Sequence, residues 1–531
     1  MKVAIIAPPY PLEEAPAPPL GISYVAAAFE AAGAEVEIFD YIVSQYTPDK
    51  LRERLDRFKP DIVGATSVTL NFKSAAEIVR TAKRHNPSVI TIMGGPHVSF
   101  DAINVLHSYP EIDMIVIGEG EETIRELMVI KMDESKWKNI KGIAFRRDSE
   151  VIFTEPRELI SDLDTLPLPA RHLLSLSRYQ ALGFPVSIIT SRGCPYQCIF
   201  CQGRRMVGKK VRHRSPSLVV DEIENILSYG ITRVNVADDL FTANKKRARK
   251  VCEEIQRRGL KFGWSAFSRV DTIDKETLEI MRNTGCDSVG LGIESGNQEI
   301  LDRVKKKITL DETRRAIKIC KEVGLPAHAY FIVGLPGESP QSLRDTKEFA
   351  ESLDVPFGYH LLAPFPGTTV RENIDEYDLE ILTDDWDQYD ANRAIVKTSK
   401  ISSEQIAEFV AEYDKEVNDG WEDFLQQYKN KTGKNTPEEN FMVEGHLRTD
   451  LIYKLLAQDI IERYGSFPTE SFPNNSSDES VNILCRKVQK ITNMGTHIVN
   501  STLKSLINSG YIKSQLAGDK ITWHWTHNNK A

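Results

Sequence analysis

From Lys2 to about Thr123, short apolar runs alternate with amphipathic stretches. Val3–Ala7, Val36–Phe39, Ile62–Val68, Val89–Met93 and Met114–Ile117 have the length and β-branched content of buried strands. Gly21–Ala32, the charged stretch near Pro48–Phe58 and Phe72–His85 carry apolar residues at helical spacing. Short strands separated by helices predict an α/β fold opening with a doubly wound, Rossmann-like parallel sheet. Ligands of such sheets bind beyond the carboxyl ends of the strands. Two glycine-rich turns fall there: Gly94-Gly95-Pro96-His97 and Gly118-Glu119-Gly120-Glu121.

A hairpin around Gly142–Phe153 and the proline-punctuated stretch Leu163 to Pro169 follow, and together they read as a linker. A second alternation starts at Val186, with strand-like runs at Val186–Thr190, Arg233–Ala237, Phe262–Phe267, Ser288–Gly292, Ala329–Val333 and Tyr359–Leu362. It predicts a partial (β/α)6 barrel with functional residues at its strand ends. Beyond about Asn373 the pattern turns helical, with Ser403–Trp421 amphipathic and Leu451–Tyr464 strongly periodic. After the polar stretch Pro468–Ser480 come helices near Val481–Ile491 and Thr496–Ser509 and a hairpin around Gly518-Asp519, an order similar to a winged helix. The expected domains are therefore residues 1–140, a linker over 141–185, a barrel over 186–372 and a mostly helical region over 373–531.

Length agrees with this division, since 531 residues suggest three or four domains at roughly 100 to 200 residues each. No apolar run approaches the roughly 20 residues of a membrane span, and the first apolar stretch is too short for a secretory signal. A net charge of −9 gives no overall attraction to nucleic acid or anionic membranes. Arg486, Lys487, Lys490, Lys504, Lys513, Lys520 and Lys530 around the lone Asp519 are a local exception. A packing or substrate-covering role fits that region better, and nucleic acid is not an expected partner. Seven cysteines, three of them clustered, suit metal ligation in a reducing, cytoplasmic compartment better than a disulfide framework.

Those three are Cys194, Cys198 and Cys201, within Ser191-Arg192-Gly193-Cys194-Pro195-Tyr196-Gln197-Cys198-Ile199-Phe200-Cys201-Gln202. Gly193 and Pro195 argue for a loop over a helical face. A zinc site would want four protein ligands, and Cys252, Cys286, Cys320 and Cys485 stand singly. Three thiolates can hold three irons of an iron–sulfur cube and leave the fourth open.

The spacing, with aromatic Phe200 before the last cysteine, resembles the signature of the radical S-adenosylmethionine (SAM) superfamily. The resemblance implies a four-iron four-sulfur cluster that chelates SAM and an external one-electron donor such as flavodoxin or ferredoxin. It also implies reductive cleavage of SAM to a 5′-deoxyadenosyl radical. By the same resemblance Asp238 or Asp239 lies where the SAM amino group binds, Arg269 faces its carboxylate, and Glu294 with Ser295 lines the ribose and methionine region. Gly334 and Pro336 shape a turn near adenine. The charge logic agrees, since arginine suits a carboxylate bidentately. The basic run Gly203 to Arg214 reads as a solvated crossover loop, or as charge compensation for the cluster.

The N-terminal region, with Pro8-Pro9-Tyr10, Pro19-Leu20-Gly21 and the turns holding Gly94, Gly95, Gly118 and Gly120, resembles the cobalamin-binding domain found ahead of many radical SAM barrels. The Asp-x-His-x-x-Gly motif of histidine-ligated cobalamin is absent, so His97 need not be a ligand. The domain order looks like the branch that contains anaerobic magnesium-protoporphyrin ester cyclases and cobalamin-dependent methylases. It implies methyl transfer to an unactivated carbon of a small-molecule substrate. An oxidative cyclisation or rearrangement is the alternative within that chemistry, and an iron–sulfur DNA-binding sensor is the alternative outside it.

Overall fold

The computed structural model describes residues 1–11, 16–430, 435–469 and 477–527; Lys530 and part of the Pro468–Ser480 stretch lie outside the described residues. The N-terminal sheet contains β1 (Lys2–Ala7), β2 (Glu35–Asp40), β3 (Ile62–Thr66), β4 (Ile90–Gly94) and β5 (Met114–Val116), with helices α1 (Leu20–Ala31), α2 (Pro48–Phe58), α3 (Phe72–His85), α4 (Pro96–Ser108) and α5 (Glu121–Val129) along it. Its order is β2-β1-β3-β4-β5, all parallel, so the strand order reverses between β1 and β3. Alternate residues feed separate cores: Val3 and Ile5 join one, Ala4 and Ile6 the other.

The hairpin expected in the linker, β6 (Ile143–Arg147) and β7 (Glu150–Phe153), extends this sheet: β6 pairs antiparallel with β5. The sheet therefore has seven strands, and the boundary expected at residue 140 cuts through it. An antiparallel edge of this kind is common on a parallel sheet.

The barrel opens with β8 (Val186–Ile188). A two-residue ladder of β9 (Ser191–Arg192) and β10 (Arg212–His213) then brackets the cysteine loop. The sheet continues through β11 (Arg233–Val236), β12 (Gly263–Ser268), β13 (Cys286–Glu294), β14 (Ala327–Val333) and β15 (Phe357–Leu361) in chain order, every pair parallel. Residues such as Val234, Ala266, Leu291 and Phe331 bury one face against helices whose Val219, Val251, Leu278 and Phe349 share their core.

A short pair, β16 (Glu380–Ile381) and β17 (Val396–Lys397), leads into helices Ser403–Asn430 and Pro437–Ala457. The stretch read as one helix over Leu451–Tyr464 breaks at Asp459, which has φ 46° and accepts from the Gln45 amide at 3.2 Å. Lys50 also ion-pairs with that carboxylate, so docking onto the N-terminal domain overrides helical periodicity. The chain ends with helices Ser477–Thr492 and Thr496–Asn508 and a sheet of β18 (Ser466–Pro468), β19 (Ile512–Ala517) and β20 (Lys520–Trp525), in the order β18-β20-β19. Among the described residues no helix is long and apolar enough to cross a membrane.

Candidate cofactor site between the two sheets

The carboxyl ends of β3, β4 and β5 and the first loops of the barrel enclose a cavity of about 360 Å³. Gly94, Gly95, Gly118 and Gly120 line it on one side with Ile5, Tyr24 and Val25. Ile189, Ser191, Arg192, Met206, Val207 and Asp239 line it on the other. Gly95 has φ 105°, and an added Cβ would stand 2.5 Å from the Ser67 carbonyl oxygen, so only glycine turns the chain from β4 into α4. Gly118 has φ 75°, and no atom lies within 4 Å of where its Cβ would be. Glycine backbone and aliphatic side chains make a wall that a broad corrin face and its amide fringe can approach closely, so these residues fit cobalamin.

His97 is no part of that wall. Its ring is fully buried, stacked on Phe72 at 4.0 Å and edge-on to Trp386 at 5.0 Å. Nδ1 meets Thr69 Oγ1 at 3.3 Å, and Nε2 stops 3.9 Å from Asp101 Oδ2. Burial, with the nearby Arg371 charge, pushes its pKa down to about 3, so the imidazole is neutral.

The cysteine loop is tied down by backbone contacts. Gly193 has φ 111°, and a Cβ there would stand 2.4 Å from the Lys210 carbonyl oxygen. The Cys194 amide donates to the Gly208 carbonyl at 3.0 Å, and Arg204 donates to the Pro195 carbonyl at 2.9 Å. Cys194, Cys198 and Cys201 face one cavity of about 300 Å³ together with Tyr196 and Arg204. Burial pushes all three thiols up, Cys201 to about 11, so they need the positive charge of a metal to become thiolates. Among the described residues no three His, Cys, Asp or Glu side chains converge as ligands of a single ion would. A cluster, which spreads its thiolates over separate irons, fits this arrangement better than one zinc does. Phe200 turns away and packs beside the core that holds Ile199 and Val370.

The other expected site residues separate into two groups. Arg269 stacks over Tyr196 at 3.6 Å, pairs with Asp271 at 3.0 Å, donates to the Lys306 carbonyl at 2.7 Å and comes within 3.9 Å of Cys198 Sγ. Glu294, at a register shift of β13 with φ 75°, pairs with Lys306 Nζ at 2.6 Å. Asp239 lines the cavity, accepts from the Gly193 amide at 3.2 Å and abuts Gly203 next to Cys201.

Asp238, by contrast, is saturated by the amides and hydroxyls of Thr190 and Ser191. Ser295 is buried against the Thr346 hydroxyl at 3.2 Å. The amides of Gly334 and Leu335 donate to buried Glu338, and the Pro336 carbonyl faces Arg303. Both amides go to one carboxyl oxygen, and the other, Glu338 Oε1, is buried without a hydrogen-bond partner among the described residues.

Sequence reasoning missed an ion-pair clamp. Arg192 donates to Glu119 at 3.1 Å and to Glu121 at 2.6 Å, while Arg212 takes both oxygens of Glu119 at 2.9 and 2.8 Å. All four side chains are nearly inaccessible. Burial works against the Glu119 charge, but Arg212 and Arg192 outweigh it and hold the carboxyl below its usual range. The basic run read as solvated is therefore largely structural: Arg212 holds the clamp, and Arg214 ion-pairs with buried Glu222. The clamp fastens the second glycine turn of the N-terminal sheet to the ladder that brackets the cysteine loop.

A cobalamin-type wall facing a three-cysteine loop across one clamped boundary defines the class: a radical SAM enzyme with a cobalamin-binding domain ahead of its barrel. Residues 188–350 match the Radical SAM superfamily, and residues 14–128 match the B12 binding domain. An uncharacterized methyltransferase of Pyrococcus horikoshii is 34% identical over 420 residues, which cover 77% of this chain and 91% of that protein. The anaerobic magnesium-protoporphyrin IX monomethyl ester cyclase of Rubrivivax gelatinosus is 30% identical over 406 residues, covering 74% of this chain and 72% of its own. Among solved structures, the cobalamin-dependent radical enzyme OxsB with aqua-cobalamin and SAM bound superposes with a TM-score of 0.68 at 19% identity, over 96% of this chain and 84% of its own; this likeness is one of fold. The chain belongs to the cobalamin-dependent radical SAM family, whose cofactors are a four-iron four-sulfur cluster, SAM and cobalamin.

Proposed function

We infer that the protein transfers a methyl group to an unactivated carbon of a small-molecule substrate. The observation that carries this reading is the shared cavity, with the glycine turns of the cobalamin domain on one wall and the flank of the cysteine loop on the other. Bound, the cluster with SAM supplies a 5′-deoxyadenosyl radical, and cobalamin supplies the methyl group. Cys194, Cys198 and Cys201 hold the cluster, and Arg269 and Lys306 balance its charge beside Cys198.

In this reading Arg269 also meets the SAM carboxylate, and Glu294 borders the ribose. Asp239 accepts from the amino group, because the oxygens of Asp238 are already taken. Gly94, Gly95, Gly118 and Gly120 would face the corrin, and among the described residues no histidine lines that cavity. Electrons come from an external donor such as flavodoxin or ferredoxin, which suits a reducing cytoplasm.

The test is the mass of the products formed from SAM by anaerobically reconstituted enzyme with candidate substrates. Methyl transfer gives 5′-deoxyadenosine, S-adenosylhomocysteine and a substrate heavier by one methylene. An oxidised, ring-closed product without S-adenosylhomocysteine would favour the cyclase chemistry of the Rubrivivax relative.

A further inference from the structure

The cations around the cysteine loop sort into two sets. Those that turn inward have anionic partners: Arg192 and Arg212 take Glu119 and Glu121, Arg214 takes Glu222, and Lys306 takes Glu294. Arg205, Lys209, Lys210, Lys305 and Lys307 do not. All five are exposed, and among the described residues none has a carboxylate within ion-pair distance. Arg205 only rests on the Phe100 ring at 5.7 Å. Acids close to the loop are engaged elsewhere, Asp239 by the Gly193 amide at 3.2 Å and Asp271 by Arg269 at 3.0 Å.

Backbone contacts fix these five around the thiols. Lys209 and Lys210 follow Gly208, the carbonyl of which accepts from the Cys194 amide at 3.0 Å, and the Lys210 carbonyl crowds Gly193. On the other side the Ile199 amide donates to the Val304 carbonyl at 3.1 Å. That contact sets Lys305 into the wall of the cysteine cavity, with Lys307 two residues on. Arg205 lines the same cavity and follows Cys201, which is itself exposed. Neither Gly203 to Arg214 nor Arg303 to Ile308 contains an acid, although the whole chain carries a net charge of −9. The result is a positive ring around the mouth of the cysteine loop on an otherwise negative molecule.

Compensating the cluster does not account for the ring, because a charge in water is screened and buried Arg269 and Lys306 already serve Cys198. Building on the function inferred above, which needs an external electron, we propose that the ring is the docking surface of a small acidic one-electron carrier protein that presents its redox group at its own surface. Docked there, the reduced carrier loses one electron and the oxidised cluster gains it beside Cys201. Opposite charges speed the encounter and fix the orientation, as a partner that must come and go requires. A nucleic acid is bound by cations laid along a groove that tracks its backbone, whereas these five surround three thiols.

The test uses the full chain loaded with cluster and cobalamin. Isothermal titration calorimetry reads the binding of an acidic flavodoxin, and SAM cleavage reads electron delivery by reduced flavodoxin or by the methyl viologen cation radical. Wild-type protein should bind flavodoxin at low ionic strength and release it as salt is added. The double variant Lys209→Glu/Lys210→Glu and the variant Lys307→Glu should each weaken binding and slow flavodoxin-driven cleavage by about tenfold or more, without slowing cleavage driven by methyl viologen. Lys138→Glu, an exposed reversal on the N-terminal domain, should change neither. Flavodoxin affinity unmoved by salt or by the reversals overturns the proposal. So does a reversal that slows both donors alike, which ties the lysines to the cluster, and so does single-stranded DNA that binds as tightly as flavodoxin. Wild-type protein that fails to load a cluster overturns instead the reading on which the proposal rests.

Discussion

The two parallel sheets of this molecule meet their ligands differently. The N-terminal sheet is buried on both faces, with Val3 and Ile5 in one core and Ala4 and Ile6 in the other. Only its carboxyl edge is left to a ligand, and that edge is made of backbone at Gly94, Gly95, Gly118 and Gly120. The barrel sheet is buried on one face, and so it offers both an edge, where the cysteines gather, and a bare face, where Phe267 and Tyr330 lie. A fully covered sheet suits a cofactor that stays. A half-covered one leaves room for a substrate that comes and goes.

The sharpest way to break this comparison is to remove the chemistry of one edge alone. Replacing Cys194, Cys198 and Cys201 together with alanine should abolish cluster iron and leave cobalamin binding intact, read by iron and sulfide analysis beside cobalamin absorbance. A full cluster in that variant contradicts the assignment.

The clamp between the sheets comes next. Glu119→Ala leaves buried Arg212 without a carboxylate and Arg192 with Glu121 alone, and should cost about 3–5 kcal/mol in denaturant unfolding. Glu122→Ala, which loses only its pair with Arg125, should stay within about 0.5 kcal/mol. Because the Glu119 carboxyl is held below its unfolded value of about 4.3, its contribution is complete above that pH and is lost as pH falls through the lower folded value.

Glycines sharpen the contrast further. Gly95→Ala combines a positive φ with a 2.5 Å approach to Ser67 and should cost about 1–3 kcal/mol. Gly358→Ala meets open space on the barrel face and should be neutral or stabilising by up to about 0.5–1 kcal/mol. Thermal unfolding of the pair would show that one glycine serves the fold and the other keeps a surface clear.

A pH-dependent effect is expected at the turn after the fifth barrel strand. Burial raises the Glu338 pKa to about 8, against the opposing pull of the Gly334 and Leu335 amides. The folded chain therefore keeps a proton that the unfolded chain loses near pH 4.3, and this group's contribution to stability falls as pH rises from about 4.3 to about 8. Glu338→Gln should remove that slope, so denaturation midpoints of the two proteins at about pH 6 and about pH 9 should diverge at the higher pH.

The N-terminal strands were legible because burial on both faces makes them continuous apolar runs, and the cysteine loop because its ligands are local. Partners distant in sequence were not. The hairpin at Ile143–Phe153 announces its turn but not its pairing with β5, which depends on Ile115 meeting Ala144. Glu119 and Arg192 stand 73 residues apart, and no periodicity links an acid in a glycine turn to a base before a cysteine. The signal for the bare barrel face was present in Ser288-Val289-Gly290-Leu291-Gly292-Ile293, where every second residue is small. Alternation shows that one face differs from the other, and only the sheet shows that nothing covers it.

The most direct test of the account is the state of cobalt in the protein. His97 is walled in by Phe72 and Trp386 and lies outside the glycine-lined cavity. After reconstitution with hydroxocobalamin, removal of excess and one-electron reduction, the electron paramagnetic resonance spectrum should report stoichiometric cobalamin without nitrogen superhyperfine splitting. Gly118→Val, which fills the cavity, should abolish retention while the cluster remains. Nitrogen splitting, or wild-type protein that retains no cobalamin, would contradict the account.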